Sequence, residues 1–383
     1  MRKTALFILY TIGFIFALRV SLPSYMGSSF LSGFVGEKFV GLIFATCSII
    51  ALFVFYLIPK ILKKLGNYKT TIYLSILSIV SLSGLSFFKN VYVVLFCFVI
   101  TYVTAVMISF CLDIFVEHHS IDGETGNIRS YYLTGINIAW LISPWLSGLI
   151  LGAGSYSRVY FVSALVMFPI LLMISYNLRD FKDQEYREFK LLSTIKEIWK
   201  KKDIRCILVS NFLLSFFFAW MVIYTPIYLF KYVGFNWQEI GLIFTMMLLP
   251  FVLIQIPLGK LADKYLGEKE MLTIGFLIMA ISTAFIPFIS GKDFWVWGIL
   301  LLITRIGAAI VEIMSETYFF KKISDKNVNL ISVFRSMSSF AYIISPIIAT
   351  IFFCFLPFKY IFFVLAFLML FGLRYSLAIK DTK

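Results

Sequence analysis

Long apolar runs, broken by short polar stretches, follow one another along the whole chain. Each is about 18 residues or longer, enough to cross roughly 30 Å of hydrocarbon as a helix. The short alternating segments that a membrane β-barrel requires are not the pattern here. The runs predict twelve transmembrane helices, at residues 4–26, 37–59, 70–88, 91–115, 130–153 and 157–177, then 206–231, 237–258, 271–290, 294–319, 328–354 and 358–379. The expected fold class is an all-α membrane protein. Between the sixth and seventh spans, the polar segment 178–205 places Leu191, Leu192, Ile195, Ile198 and Trp199 on one helical stripe beside Lys196, Lys200 and Lys201. That segment reads either as a short amphipathic helix on anionic lipid or as a solvated charged linker.

Composition agrees with the pattern. Hydrophobic residues make up 61% of the chain and charged residues 14%, with a mean hydropathy of +0.93; an ordinary soluble domain is roughly 45 to 50% apolar. The first apolar run follows Arg2 and Lys3 and has no small-residue cleavage site, so it is expected to be a retained helix rather than a signal peptide.

Charge then fixes an expected orientation. Most of the 34 Lys and Arg fall on the side that holds the N-terminus, whereas Lys38, Lys89, Arg158, Lys231, Lys292 and Lys359 fall on the other. Basic residues collect on the cytoplasmic side of membrane helices, which predicts cytoplasmic termini in a bacterial-type plasma or inner membrane. The net charge of +14 is explained by this asymmetry and needs no nucleic-acid partner. Cys47, Cys97, Cys111, Cys206 and Cys354 show no metal or disulfide spacing, and the adjacent His118 and His119 point to different sides of a helix. No metal or cofactor is expected.

An internal repeat at a spacing of about 200 residues is the most specific signal. Gly41-Leu42-Ile43-Phe44 opens the second span and Gly241-Leu242-Ile243-Phe244 opens the eighth. Ala139, Ile142, Ser143 and Pro144 of the fifth span match Ala341, Ile344, Ser345 and Pro346 of the eleventh; Asn127 matches Asn329, and Pro23 and Tyr25 match Pro226 and Tyr228. The order and offset are kept throughout, so residues 1–177 and 206–383 read as two copies of a six-helix bundle joined by 178–205. An even number of spans per copy makes this a parallel repeat about an axis along the membrane normal.

Span eight runs into Gly259, Lys260, Leu261, Ala262, Asp263, Lys264, Tyr265, Leu266 and Gly267. This resembles the cytoplasmic Gly-x-Leu-Ala-Asp-Arg/Lys-x-Gly motif of the major facilitator superfamily, with Leu266 as an extra residue. The first-copy counterpart has Lys63 in place of the Asp. The resemblance, which with the duplication covers essentially the whole chain, implies that fold, a small-molecule substrate, and a cytoplasmic gate built from Gly259, Asp263, Lys264 and Gly267 against Arg129 at the start of span five. Ser143, Pro144, Ser147 and Gly148 resemble a remnant of the family's antiporter motif, which implies efflux.

Charges inside the membrane are costly and normally face a cavity or each other. Arg305, Glu312 and Glu316 of span ten return to nearly one helical face. The resemblance implies that span ten lines the central cavity, and Arg335 of span eleven is expected to meet Glu312 at one depth, as a structural ion pair or as part of a proton site. Arg19 either snorkels outward or offers a cation to an anionic substrate group. Trp220, Tyr224 and Asn211 of span seven and Asn137 of span five are further cavity candidates. The expected function is secondary active transport of a small solute by alternating access, proton-coupled, with membrane lipid and protons as partners. No phosphate-cradling loop suggests ATP use. The alternatives are a membrane-embedded enzyme acting on lipid-linked substrates, which the short external loops cannot house, and a non-transporting scaffold or receptor of the same fold.

Overall fold

The computed structural model describes residues 2–118, 125–152, 154–179, 181, 183, 198, 200–254, 267–322 and 328–380. The helices are α1 (Arg2–Ser24), α2 (Gly27–Val35), α3 (Val40–Leu65), α4 (Asn67–Phe87), α5 (Val91–His118), α6 (Thr125–Leu151) and α7 (Ser157–Asn177). The second copy supplies α8 (Lys202–Ile227), α9 (Trp237–Leu248, continued by Pro250–Leu253), α10 (Glu268–Phe285), α11 (Phe294–Lys322), α12 (Val328–Phe352) and α13 (Ile361–Ala378). Eleven of the described segments are long and apolar enough to cross a bilayer, and Trp237–Leu253 is a shorter apolar helix at the place of the eighth span.

Two spans are irregular at the same point of the repeat. Proline lacks the N–H for the i→i−4 bond and its ring crowds the preceding turn. After Pro23, α1 stops at Ser24 and the chain turns through Tyr25 and Met26 into α2. After Pro226, α8 gives way to a π-helical turn over Tyr228–Val233, which ends on Gly234 in the left-handed region (φ 85°). A π turn absorbs an interrupted ladder without ending the span.

By contact the chain divides into two compact units. Unit 1 contains Met1–Phe34, Thr46–Glu188 and Asn236–Gly241; unit 2 contains Val35–Ala45, Phe189–Phe235 and Leu242–Lys383. In unit 1, α1 packs on α6 and α7, and α4 packs on α5 and α7. The core includes Leu9, Ile12, Phe16, Leu112, Phe115 and Met167. In unit 2, α8 packs on α11, α12 and α13, and α10 packs on α11 and α13.

Helix ends are tied by polar groups. Gly66, at φ 77°, lets the chain turn tightly into α4, and the backbone N–H of Asn67 donates to Asp183 Oδ1 at 2.7 Å. A carboxylate there accepts an orphan amide and suits the positive end of the helix. Replacing Asp183 by Ala is expected to cost about 1 kcal/mol, read as a lower Tm; an unchanged Tm would mean that the cap contributes nothing. In unit 2, buried Glu268 opens α10 and accepts from Lys321 Nζ at 2.6 Å, while Lys322 lies 3.3 Å from Asp203.

Of the segment 178–205, the stripe residues Leu191, Leu192, Ile195 and Trp199 lie outside the described residues, and so does most of the expected amphipathic helix. Ile198 is buried.

Candidate functional site: membrane-embedded charges and duplicated helix crossings

α11 carries the in-membrane charges. Arg305 is 2% exposed, so it does not face lipid, and its guanidinium carbon lies 5.5 Å from the Phe217 ring centroid and 5.2 Å from that of Phe218. These rings belong to α8, and a cation over an aromatic face gains electrostatic attraction that grows when water is excluded. Two turns further along α11, Glu312 is half-buried. Arg335 Nη1 donates to Glu316 Oε1 at 2.6 Å, and its positive charge, like that of Arg305, also acts on Glu312. Glu316 lies one turn beyond Glu312, where both partners are exposed, and a charged pair in water-reachable surroundings avoids the desolvation cost that pairing deeper in the span would carry.

α8 presents an aromatic ladder. Trp220 and Tyr224 are fully buried and stack edge-on at 5.7 Å; Tyr224 also meets Phe353 at 5.4 Å, and Tyr228 meets Trp297 at 5.8 Å. Trp220 and Tyr224, expected on a cavity wall, are both packed inside unit 2. Asn211 Nδ2 donates to the carbonyl of Phe334 at 3.0 Å, tying α8 to α12. Asn137 on α6 is exposed.

Arg19 does not snorkel. It is 2% exposed, and its guanidinium donates into unit 1, to the hydroxyl of Ser78 on α4. The ring of Phe16, one turn earlier on α1, lies 5.9 Å away.

The duplicated motifs meet crosswise. In unit 2, a Cβ on Gly41 of α3 would stand 2.8 Å from Pro346 Cβ and 3.0 Å from its carbonyl oxygen on α12, and against the Tyr224 hydroxyl. In unit 1, a Cβ on Gly241 of α9 would run into the carbonyl oxygen of Pro144 on α6, and one on Gly148 would stand 2.6 Å from the Trp237 carbonyl oxygen. Only glycine permits such close helix approach, as small residues do at packed membrane helices generally. The glycine of each copy thus lies on the proline of the other. Beside the first crossing, Thr350 donates to the Lys38 carbonyl at 3.2 Å; Glu37 accepts from the Tyr232 hydroxyl and pairs with Lys231 at 3.4 Å. The repeat in sequence shows which positions correspond, but not that each would cross to the opposite copy's partner.

Of the motif residues, Gly259, Asp263 and Lys264 lie outside the described residues; Gly267 ends the connection into α10, and Arg129 lies in α6 with its side chain outside the description. The expected contact between Asp263 and Arg129 therefore falls outside as well.

Long apolar helices in a duplicated arrangement, with glycine crossings and buried cations, define the class: a multi-span membrane transporter fold. The family model of the Major Facilitator Superfamily matches residues 120–323 and 222–381, and the chain belongs to that superfamily. It is a transporter rather than an enzyme. Among solved structures, it is similar to the crystal structure of a mutant of the nucleoside transporter NupG, with a TM-score of 0.77 at 11% identity, covering 98% of this chain and 100% of that one. At that identity the likeness concerns the fold. A search of curated proteins gives no match.

Proposed function

We propose that this transporter moves a small solute by alternating access, using the proton gradient, with Glu312 as the proton-carrying group. The observation that carries the reading is the crossed pair of glycine contacts, Gly41 on Pro346 and Gly241 on Pro144. They occupy matching positions of the two copies, near the start of spans two and eight. Bare helix-on-helix contacts without a covalent tie can part as a unit, and two of them at equivalent places give a gate that opens on one side of the membrane while the other side closes. The moving bodies in this reading are residues 1–177 and 206–383, with 178–205 joining them on the cytoplasmic face and both termini cytoplasmic. The asymmetry of Lys and Arg supports that orientation, in a bacterial-type inner membrane.

Proton use rests on chemistry: Glu312 is a half-buried carboxylate on the helix that also holds buried Arg305. Protonation lets it lose its charge during the part of the cycle in which water is excluded, which a permanently charged arginine cannot do. The antiporter-like remnant Ser143, Pro144, Ser147 and Gly148 favours export. In this reading, Asp263 of the motif after span eight would pair with Arg129 and latch the cytoplasmic side in the alternate state.

The test begins with a thermal-shift screen of solutes on purified protein and continues with counterflow of each stabilising solute in proteoliposomes. Transient uptake of labelled solute against internal unlabelled solute is the expected result. A solute that binds saturably and never exchanges would instead favour the scaffold or receptor reading.

A further inference from the structure

Among the described residues, the core of unit 1 holds a cation without a counter-charge. Arg19 is 2% exposed on α1, and a guanidinium stays protonated in any protein environment. Its contacts there are one donation to the Ser78 hydroxyl and the face of the Phe16 ring; its Nε has no acceptor. The nearest chemistry on α4 is a row of hydroxyls one turn apart, Ser75, Ser78 and Ser81, each 2% exposed or less. Ser75 Oγ is buried without a partner, and Thr101 of α5 donates to Ser81 at 2.9 Å. The described carboxylates of unit 1 lie elsewhere: Asp113 and Glu117 near the end of α5, Asp183 at the start of α4, and Glu239 at the start of α9.

Buried charges in proteins are paired, because an isolated ion in a low-dielectric core carries a large desolvation penalty even after relaxation. A hydroxyl and a ring face offset part of this and supply no negative charge. Water would satisfy Nε but would leave the charge unbalanced. The surroundings offer what an anion needs, namely guanidinium N–H groups beside rotatable O–H donors, in a place that lipid does not reach. We propose that Arg19 and Ser78, with Ser75 one turn away, hold a small monoanion in the core of unit 1, either a halide or a carboxylate group. This inference stands apart from the proton-coupled transport reading: a resident ion would occupy the site whether or not Glu312 carries protons.

The experiment is a thermal-shift titration of purified protein in which sodium methanesulfonate is replaced at constant ionic strength by chloride, bromide or formate. Wild type should gain several degrees of Tm saturably with at least one of these ions. The Arg19→Gln variant, with no charge to balance, should show no saturable gain, and Ser78→Ala should raise the half-saturating concentration about tenfold, the loss of one hydrogen bond to a charged group. An equal response in wild type and Arg19→Gln, or none in wild type, overturns the proposal. If Arg19→Gln does not fold, the Ser78→Ala shift and an anomalous bromide peak beside the Arg19 guanidinium decide the matter, and a crystal without that peak counts against it. The source is separated by counterflow: a carboxylate that both stabilises the protein and is exchanged belongs to the substrate, whereas chloride that stabilises and is not transported is a resident ion.

Discussion

Replacing Gly241 with alanine should reduce the initial rate of transport about thirtyfold while leaving solute binding in place. The added Cβ would fall on the carbonyl oxygen of Pro144, a backbone atom of α6 that cannot move aside by changing rotamer. Overpacking of this kind typically costs about 1 to 3 kcal/mol, and a bias of about 2 kcal/mol against the closed crossing depletes that state roughly thirtyfold. Binding, read by thermal shift, persists because the opposite state is still reached. Gly41→Val should act in the same direction through Pro346. The comparison substitution is Gly33→Ala, a helical glycine where a Cβ would meet nothing within 4 Å, and it should leave the rate unchanged. Full transport in Gly241→Ala would show that the crossing does not need to close.

The second large effect is expected at Glu312. A Glu312→Gln protein should still catalyse counterflow, which needs no net proton movement, yet fail to accumulate or expel solute against its gradient. With one proton per solute and a pH difference of one unit, wild type should reach about a tenfold gradient, since about 1.4 kcal/mol corresponds to a factor of ten. The variant should stop at equal concentrations. A variant that still followed the imposed pH difference would assign the proton to another group, with Glu316 the nearest carboxylate on the same helix face.

The fold was legible because its signal is length: a run of apolar residues long enough to span hydrocarbon has few other uses, and the spans at 91–115, 157–177 and 294–319 recur within α5, α7 and α11. The irregular places were only half legible. Pro23 and Pro226 mark them in sequence, but whether a proline ends a helix, as at Ser24, or shifts it into a π turn, as after Ile227, depends on packing around it. Side-chain partners were the least legible. Spacing set Arg335 near Glu312, whose carboxylate feels its charge, but did not show that the guanidinium would donate to Glu316 one turn on, where water is nearer. Trp220 and Tyr224 fit a cavity wall as well as a core by composition, and the rings of Phe216, Phe353 and Phe358 packed on them decide for the core. Arg19 could be recognised as unusual from its depth, but its turn inward to Ser78 could not, because nothing in the sequence pairs α1 with α4.

Alternating access requires that the contacts around Gly41 part in every cycle, and a tether placed across them tests this most directly. Glu37 and Lys231 lie 3.4 Å apart beside that crossing. In a background with the native cysteines replaced, Glu37→Cys and Lys231→Cys can be bridged by a short reducible bis-thiosulfonate reagent. Transport should stop on bridging and return when the bridge is reduced; counterflow that continues at the original rate with the bridge in place would contradict the account.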